Sequence, residues 1–228
     1  MSLDEAIYAG EDYFIRPKES FVFLGERIAA LPGTRLLDIG CARGEFLHYL
    51  AGAQPGRWTT LAGTDISEPM ITEARRRLPS PPFEFAVADC HGLDLGRRFN
   101  LVTACGLLGY IDELAPFFAT LARHAEPGGH VLLFGFLNPE EIDVRSEFSF
   151  RGHREKANLH SIASVRQEAA AHGFAERALD EFHLPFPLAR QADNPRRAWT
   201  METEAGRLFV NGLGQYFRLY ACTLERQA

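Results

Sequence analysis

The sequence predicts an α/β fold, a mostly parallel sheet with helices on both faces, and two observations carry that prediction. Short apolar runs alternate with helix-periodic segments as far as Phe136. Polar or small residues, Asp38, Asp65, Asp89 and Cys105, stand at the ends of successive runs. In an open parallel sheet the ligand lies outside the carboxyl ends of the strands, so these residues converge on one place.

The elements follow in order. Leu3–Gly10 reads as a short helix, and Tyr13–Pro17 as an irregular aromatic link. Ser20–Leu31 carries Val22, Phe23, Ile28 and Ala29 at helical spacing and stops at Pro32-Gly33. Leu36–Ile39 is the first strand, and Gly44–Leu50 a helix. Trp58–Gly63 is the second strand, ending at Thr64-Asp65. Ser67 is placed to cap a helix with Pro69 in its first turn and Ile71, Ala74 and Leu78 on one face. Phe83–Ala88 and Phe99–Ala104 are the third and fourth strands. Asp112 is placed to cap a helix with Leu114, Phe117, Phe118 and Leu121 on one side, ended by Pro127-Gly128-Gly129. His130–Phe136 is nearly all apolar, as a strand buried on both faces should be. Beyond it, residues 138–160 form a charged insertion, and Ser161 or Ser164 starts a helix ending near Gly173. Arg177–Leu184 is a sixth strand, residues 185–211 a second insertion, and Gln215–Glu225 a seventh strand.

A chain of 228 residues with 46% hydrophobic content suits one domain with insertions. A net charge of −6 gives no nucleic-acid footprint. The four cysteines form no Cys-x-x-Cys pair, which argues for reduced thiols and against a disulfide scaffold or a metal site. No signal-peptide pattern is present, and the apolar run Val131–Leu137 is too short to span a bilayer, so a cytoplasmic protein with no membrane partner is expected.

The most specific local feature is Asp38-Ile39-Gly40-Cys41-Ala42-Arg43-Gly44. Small residues between a strand and a helix let a ligand approach the backbone. The helix start offers N–H groups to an anion, and the acidic residue suits a cation. A ligand with both a carboxylate and an ammonium fits that description. The loop resembles motif I of the class I S-adenosylmethionine-dependent methyltransferases, commonly Asp/Glu-x-Gly-x-Gly-x-Gly. Asp38, Gly40 and Gly44 match, and Ala42 replaces the middle glycine. One methyl group there is compatible with close approach if φ is negative. The Gly-x-Gly-x-x-Gly pattern of nicotinamide enzymes and the Gly-Lys-Ser/Thr of phosphate loops are both absent.

The resemblance implies a Rossmann-like, seven-stranded, mostly parallel sheet with an antiparallel last strand, S-adenosylmethionine as cofactor, and a small-molecule acceptor. It places Asp38, Gly40, Cys41, Ala42 and Gly44 along the cofactor's amino-acid end, and Asp65 on both ribose hydroxyls. Ile66 then lies against adenine, with Met70 closing that slot. Asp89 and Cys90 read the adenine edge, and Cys105 lies under the methyl donor. Tyr110 occupies a place where many relatives carry a histidine, and it either walls the pocket or orients an acceptor. His153 and His160 lie in or beside the first insertion, and His160 is the candidate base or positioning group. The two insertions are expected to build the acceptor site. Residues 1–34, with Tyr8, Tyr13 and Phe14, supply either a lid or a packed helix. The rival readings are a nicotinamide-dependent oxidoreductase and a non-catalytic cofactor-binding module.

Overall fold

The computed structural model describes residues 12–192, 197–204 and 206–228. The expected helix Leu3–Gly10 and Tyr8 lie outside the described residues. The first half runs α1 (Glu19–Ala29), β1 (Arg35–Ile39), α2 (Glu45–Ala53), β2 (Thr60–Asp65), α3 (Glu68–Arg77), β3 (Phe83–Val87), β4 (Phe99–Cys105), a 3₁₀ turn (Leu108–Tyr110), α4 (Leu114–His124) and β5 (Ala125–Asn138). The second half runs β6 (Glu147–Phe150), β7 (His153–Lys156), β8 (His160–Ser161), α5 (Ile162–Ala171), β9 (Phe174–Phe182), β10 (Trp199–Thr203), β11 (Gly206–Val210) and β12 (Tyr216–Arg226).

The strands lie in the order β3-β2-β1-β4-β5-β12-β9. The first five are parallel, and β12 runs antiparallel to both of its neighbours. This is the expected sheet, including the reversed last strand. The main sheet reaches ten strands because β8 adds to β5, and β11 and β10 add beyond the start of β12. Chain order reverses between β1 and β4, and the crevice at their carboxyl ends is the natural ligand position.

Two apolar layers hold the helices. Phe117, Phe118 and Leu121 of α4 pack with Val102, Val131 and Leu224 on one face. Phe21, Leu24 and Ile28 of α1 pack with Leu36, Leu47 and Leu50 on the other. The buried stripe of α1 is thus Phe21-Leu24-Ile28, and Val22 and Phe23 are only partly covered. Ser67 caps α3 by accepting from the Met70 N–H, and Ser161 caps α5 by accepting from the Ser164 N–H at 3.0 Å. Asp112 caps nothing. The N-cap of α4 is Glu113, and the Asp112 carboxylate instead accepts from Asn158 and pairs with Lys156. Tyr13 packs edge-on against Phe21, and Phe14 lies between His48 and the Arg77 guanidinium.

Both insertions contain more regular structure than their composition signals. Residues 138–160 fold back as the β6–β7 hairpin, and Val144 bridges to Leu159. Residues 185–211 contain β10 and β11. A row of rings, Phe182, Phe209 and Phe217, ties that hairpin to the sheet, with centroids 6.5 and 6.2 Å apart and planes within 14°.

Candidate active site

A cavity of about 810 Å³ opens at the carboxyl ends of β1 to β4. Gly40 and Ala42 line it after β1, Asp65 and Ile66 after β2, Asp89 and Cys90 after β3, and Cys105 after β4, with Met70 of α3 closing one side. The sequence expectations for these eight positions concern residues that share one space.

The β1–α2 turn is held by backbone bonds. The N–H groups of Gly40 and Cys41 both donate to the Thr64 carbonyl, at 2.7 and 2.9 Å. Gly40 has φ +79°, a conformation that favours glycine, and a Cβ there would stand 2.7 Å from Leu107 Cδ1, which would have to move aside. Gly44 has φ +81°, and a Cβ would press on the Phe85 ring at 2.9 Å. Ala42 also has a positive φ, +48°, which corrects the expectation of a negative one. An alanine in this region is strained by about 1 kcal/mol or more. Its N–H donates to Asp65 Oδ2 at 2.9 Å, an anchor that fixes the turn.

The expected anion-binding N–H groups are partly used internally. Ala42 N–H serves Asp65, and Arg43 N–H serves Glu45 Oε2 at 3.1 Å. Arg43 also forms an ion pair with Glu45, whose carboxylate is almost fully buried. Nothing in the spacing of Arg43 and Glu45 marks this pair in the sequence.

Three candidate cofactor residues lie beneath the cavity rather than on it. Asp38 is 2% exposed, and its Oδ1 accepts from Thr103 Oγ1 at 2.6 Å. Burial pushes its carboxyl up to about 7, despite the Thr103 hydrogen bond, and the charges of Asp65 and Glu45 add to the rise. Cys41 is buried, its sulfur turned toward Gly63 so that a Cβ there would come within 2.6 Å of it. It therefore does not line the cavity as expected. Gly44 is likewise covered by Phe85 and Leu78.

Asp65 accepts two backbone N–H groups, from Ala42 on Oδ2 and from Ser67 on Oδ1, each at 2.9 Å. Each carboxylate oxygen has a second lone pair, so the group can still accept from a diol. Ile66 is 71% exposed at the cavity, an apolar side chain set where a flat ligand would cover it. Asp89 accepts from the His91 N–H at 2.9 Å, and this bond holds its carboxyl below the usual range. Asp89, Cys90 and His91 bring a carboxylate, a thiol and an imidazole within 4.8 Å of one another, a grouping of metal-ligand types that the scattered cysteines did not signal. Ser67, read in the sequence only as a helix cap, also lines the cavity, as do Leu107 and Ile111, apolar residues that nothing in the sequence marks for a site.

A second cavity, about 130 Å³, adjoins the first, and Gly106 and Tyr110 line both. Residues of both insertions and the turn before β12 form its walls, among them Phe148, Leu159, Asn211 and Leu213. Tyr110 is 46% exposed there. His160 does not reach either cavity. It is fully buried, its Nε2 donates to the Ile111 carbonyl at 2.9 Å, and Nδ1 accepts from Arg145 at 3.2 Å. Burial and the adjacent guanidinium lower its pKa, so it is a neutral brace behind Ile111 and not a base within reach of an acceptor. His153 is exposed on β7 and lines neither cavity.

Residues 13–179 match the profile of a methyltransferase domain family. A dTDP-3-amino-3,4,6-trideoxy-alpha-D-glucopyranose N,N-dimethyltransferase from Streptomyces venezuelae is 34% identical over 109 residues, 46% of this chain and 44% of that protein. A ubiquinone biosynthesis O-methyltransferase from Thiobacillus denitrificans is 33% identical over 114 residues, 48% of this chain and 47% of that protein. The matched stretch thus spans about half the length of each relative. Among solved structures, an S-adenosylmethionine-dependent methyltransferase from Clostridium acetobutylicum superposes with a TM-score of 0.64 at 12% identity, over 99% of this chain and 96% of that one. An S-adenosylmethionine-bound amino pentose methyltransferase from Micromonospora echinaspora gives 0.61 at 17% identity, over 100% and 98%. Family profile, strand order and reversed last strand agree: the chain belongs to the methyltransferase domain family and has the Rossmann-like fold of the class I S-adenosylmethionine-dependent enzymes.

Proposed function

We propose that this protein transfers the methyl group of S-adenosylmethionine to the oxygen or nitrogen of a small molecule. The observation that carries this reading is the pair of adjoining cavities that meet at Gly106 and Tyr110, the larger at the strand ends and the smaller beneath the insertions. The larger suits the cofactor's shape and chemistry: Asp65 can accept from the ribose hydroxyls, Ile66 and Met70 can flank adenine, and Asp89 can accept its exocyclic amine. Gly40 and Ala42 present little bulk toward the amino-acid end, so it can approach the turn although their N–H groups are held by Thr64 and Asp65. When bound, the cofactor supplies a sulfonium-activated methyl group. The chain's own part is to hold two partners in line and to exclude water between them, which needs no obligatory acid or base for a neutral amine. Tyr110 is assigned the junction wall, because its ring borders both spaces.

The acceptor is a free small molecule and not a nucleic acid, given the acidic net charge of −6. No helix among the described residues is long and apolar enough to cross a membrane, and a cytoplasmic location is proposed on the thiol pattern. Titration calorimetry tests the cofactor assignment. S-adenosylhomocysteine is expected to bind and NAD is not. Asp65→Ala is expected to weaken the former by about 1.5–3 kcal/mol, the range for a hydrogen bond to a charged group. Binding of NAD with no response to S-adenosylhomocysteine would overturn the proposal and restore the oxidoreductase reading. Binding without methyl transfer to any acceptor would favour a non-catalytic module.

A further inference from the structure

The connection from β3 to β4 crosses the sheet without an element of its own. β3 is the edge strand beside β2, β4 lies beyond β1, and all four run parallel. Such a crossover usually contains a helix that satisfies its own backbone. Residues 88–98 contain neither helix nor strand, yet Asp89 and Cys90 among them line the larger cavity. Local turns satisfy part of this segment. The Gly92 N–H donates to the Asp89 carbonyl at 3.3 Å, and the Gly96 N–H to Asp94 Oδ1 at 2.8 Å. Leu93, 3% exposed, joins the apolar layer that holds Phe117 and Leu121 of α4. The other polar backbone groups need partners from elsewhere in the molecule.

The last turns of α4 supply three of them. Thr120 Oγ1 donates to the His91 carbonyl at 3.3 Å, and Arg123 Nη1 to the Leu93 carbonyl at 2.7 Å. His124 Nε2 accepts from the Leu95 N–H at 3.1 Å. Positions 120, 123 and 124 are neighbours on one side of a helix, and they meet alternate residues of the connection. The same bonds fix the His124 tautomer. A backbone N–H can only donate, so Nε2 is bare, and Nδ1 carries the hydrogen and gives it to the Thr120 carbonyl at 2.9 Å. Thr120 and His124 are fully buried. Burial lowers the His124 pKa, against the opposing pull of the Thr120 carbonyl and of Asp94 on the connection, while Arg123 adds to the fall. The ring is therefore neutral and free to accept. The line from helix to cavity is short: Thr120 holds the His91 carbonyl, and the His91 N–H holds Asp89 Oδ1 at 2.9 Å.

We propose that Thr120, Arg123 and His124 are positioning residues for base recognition, fixing the β3–β4 connection so that Asp89 accepts from the exocyclic amine of the cofactor's adenine. The inference rests on the methyltransferase reading above and on the role it gives Asp89. None of the three lines the larger cavity, so each acts through the connection and not by touching the cofactor. Asp65 and the β1–α2 turn are held by other bonds, so the ribose and amino-acid ends keep their contacts when the helix lets go. The loss is therefore one of selectivity for the base.

The test is titration calorimetry on the full chain with two probes, S-adenosylhomocysteine and S-inosylhomocysteine, whose base carries a carbonyl oxygen in place of the amine. The parent is expected to prefer the first at least about tenfold. Thr120→Val, Arg123→Ala and His124→Leu are each expected to shrink that preference at least about threefold, through weaker S-adenosylhomocysteine binding, with S-inosylhomocysteine held within about twofold. Thr120→Ser keeps the hydroxyl and is expected to keep the parent's preference. Thermal melts establish which variants are folded. Thr120→Val preserves the side-chain shape and Arg123 is exposed, so these two decide the matter alone if His124→Leu does not fold. The proposal is overturned if both keep the parent's preference, or if they weaken both probes equally, the mark of a merely structural role. It is also overturned if the parent binds both probes alike, a result that leaves the methyltransferase reading standing. Failure of S-adenosylhomocysteine to bind the parent would instead bring down that reading itself.

Discussion

Asp38 combines burial, a short hydrogen bond and two acidic neighbours, and its titration should be visible in stability. Its carboxyl ionises near 7 in the folded chain against an ordinary 3.8. Between those values the folded state holds a proton that the unfolded state has released. Stability from this group is therefore greatest at the acid end of the window and falls as pH rises from about 4 to about 7. Asp38→Asn keeps the shape and removes the titration. The variant is expected to lose less of its melting temperature across that window than the parent, measured without ligand. Parallel curves would show that Asp38 is already ionised in the native state. The residue scale is also where the sequence was least complete. Asp38, Gly40 and Gly44 were legible as a turn motif. That Asp38 and Cys41 point under the turn, and that Ala42 is forced to positive φ, depend on contacts with Thr103, Gly63 and Asp65 from strands 22 or more positions away.

Among the elements, the parallel strands were the most legible, because β1, β2, β4 and β5 are buried on both faces and read as apolar runs. The hairpins were not. β6 alternates polar and apolar residues over only four positions, half of them exposed, and β10 contributes no fully buried side chain, so each signal is too short or too shallow to mark a strand. Their order comes from a few aromatic anchors. Phe209 of β11, 6% exposed, lies between Phe182 and Phe217 and joins the β10–β11 hairpin to the strand that walls the second cavity. Phe209→Ala is expected to cost about 3 kcal/mol in denaturant unfolding. Acceptor binding should suffer more than S-adenosylhomocysteine binding, since Phe217 faces only the smaller cavity. Equal losses for both ligands would mean that the hairpin supports the whole sheet and not the acceptor wall specifically.

At the scale of the whole molecule, the four thiols report which surfaces a ligand covers. Burial raises all four, Cys90 to about 11 and Cys222 to about 12, so alkylation should be run at alkaline pH. Cys90 and Cys105 line the larger cavity, while Cys41 and Cys222 are buried elsewhere. S-adenosylhomocysteine is expected to slow labelling of the first two and leave the second two unchanged, as read by peptide mass spectrometry. Uniform rates with and without ligand would place its binding elsewhere.

The reversed strand β12 has a consequence for how the chain is made. It follows every other described strand in sequence, yet it lies between β5 and β9, pairing along its length with both. A nascent chain that has emerged only as far as Gln215 has every parallel strand available but two open edges, each able to recruit a foreign strand. The sheet can close only when Tyr216–Arg226 has left the ribosome and entered the gap between them. Closure of the sheet thus waits for this one strand, and truncation before Tyr216–Arg226 should yield aggregates rather than a shortened, working domain.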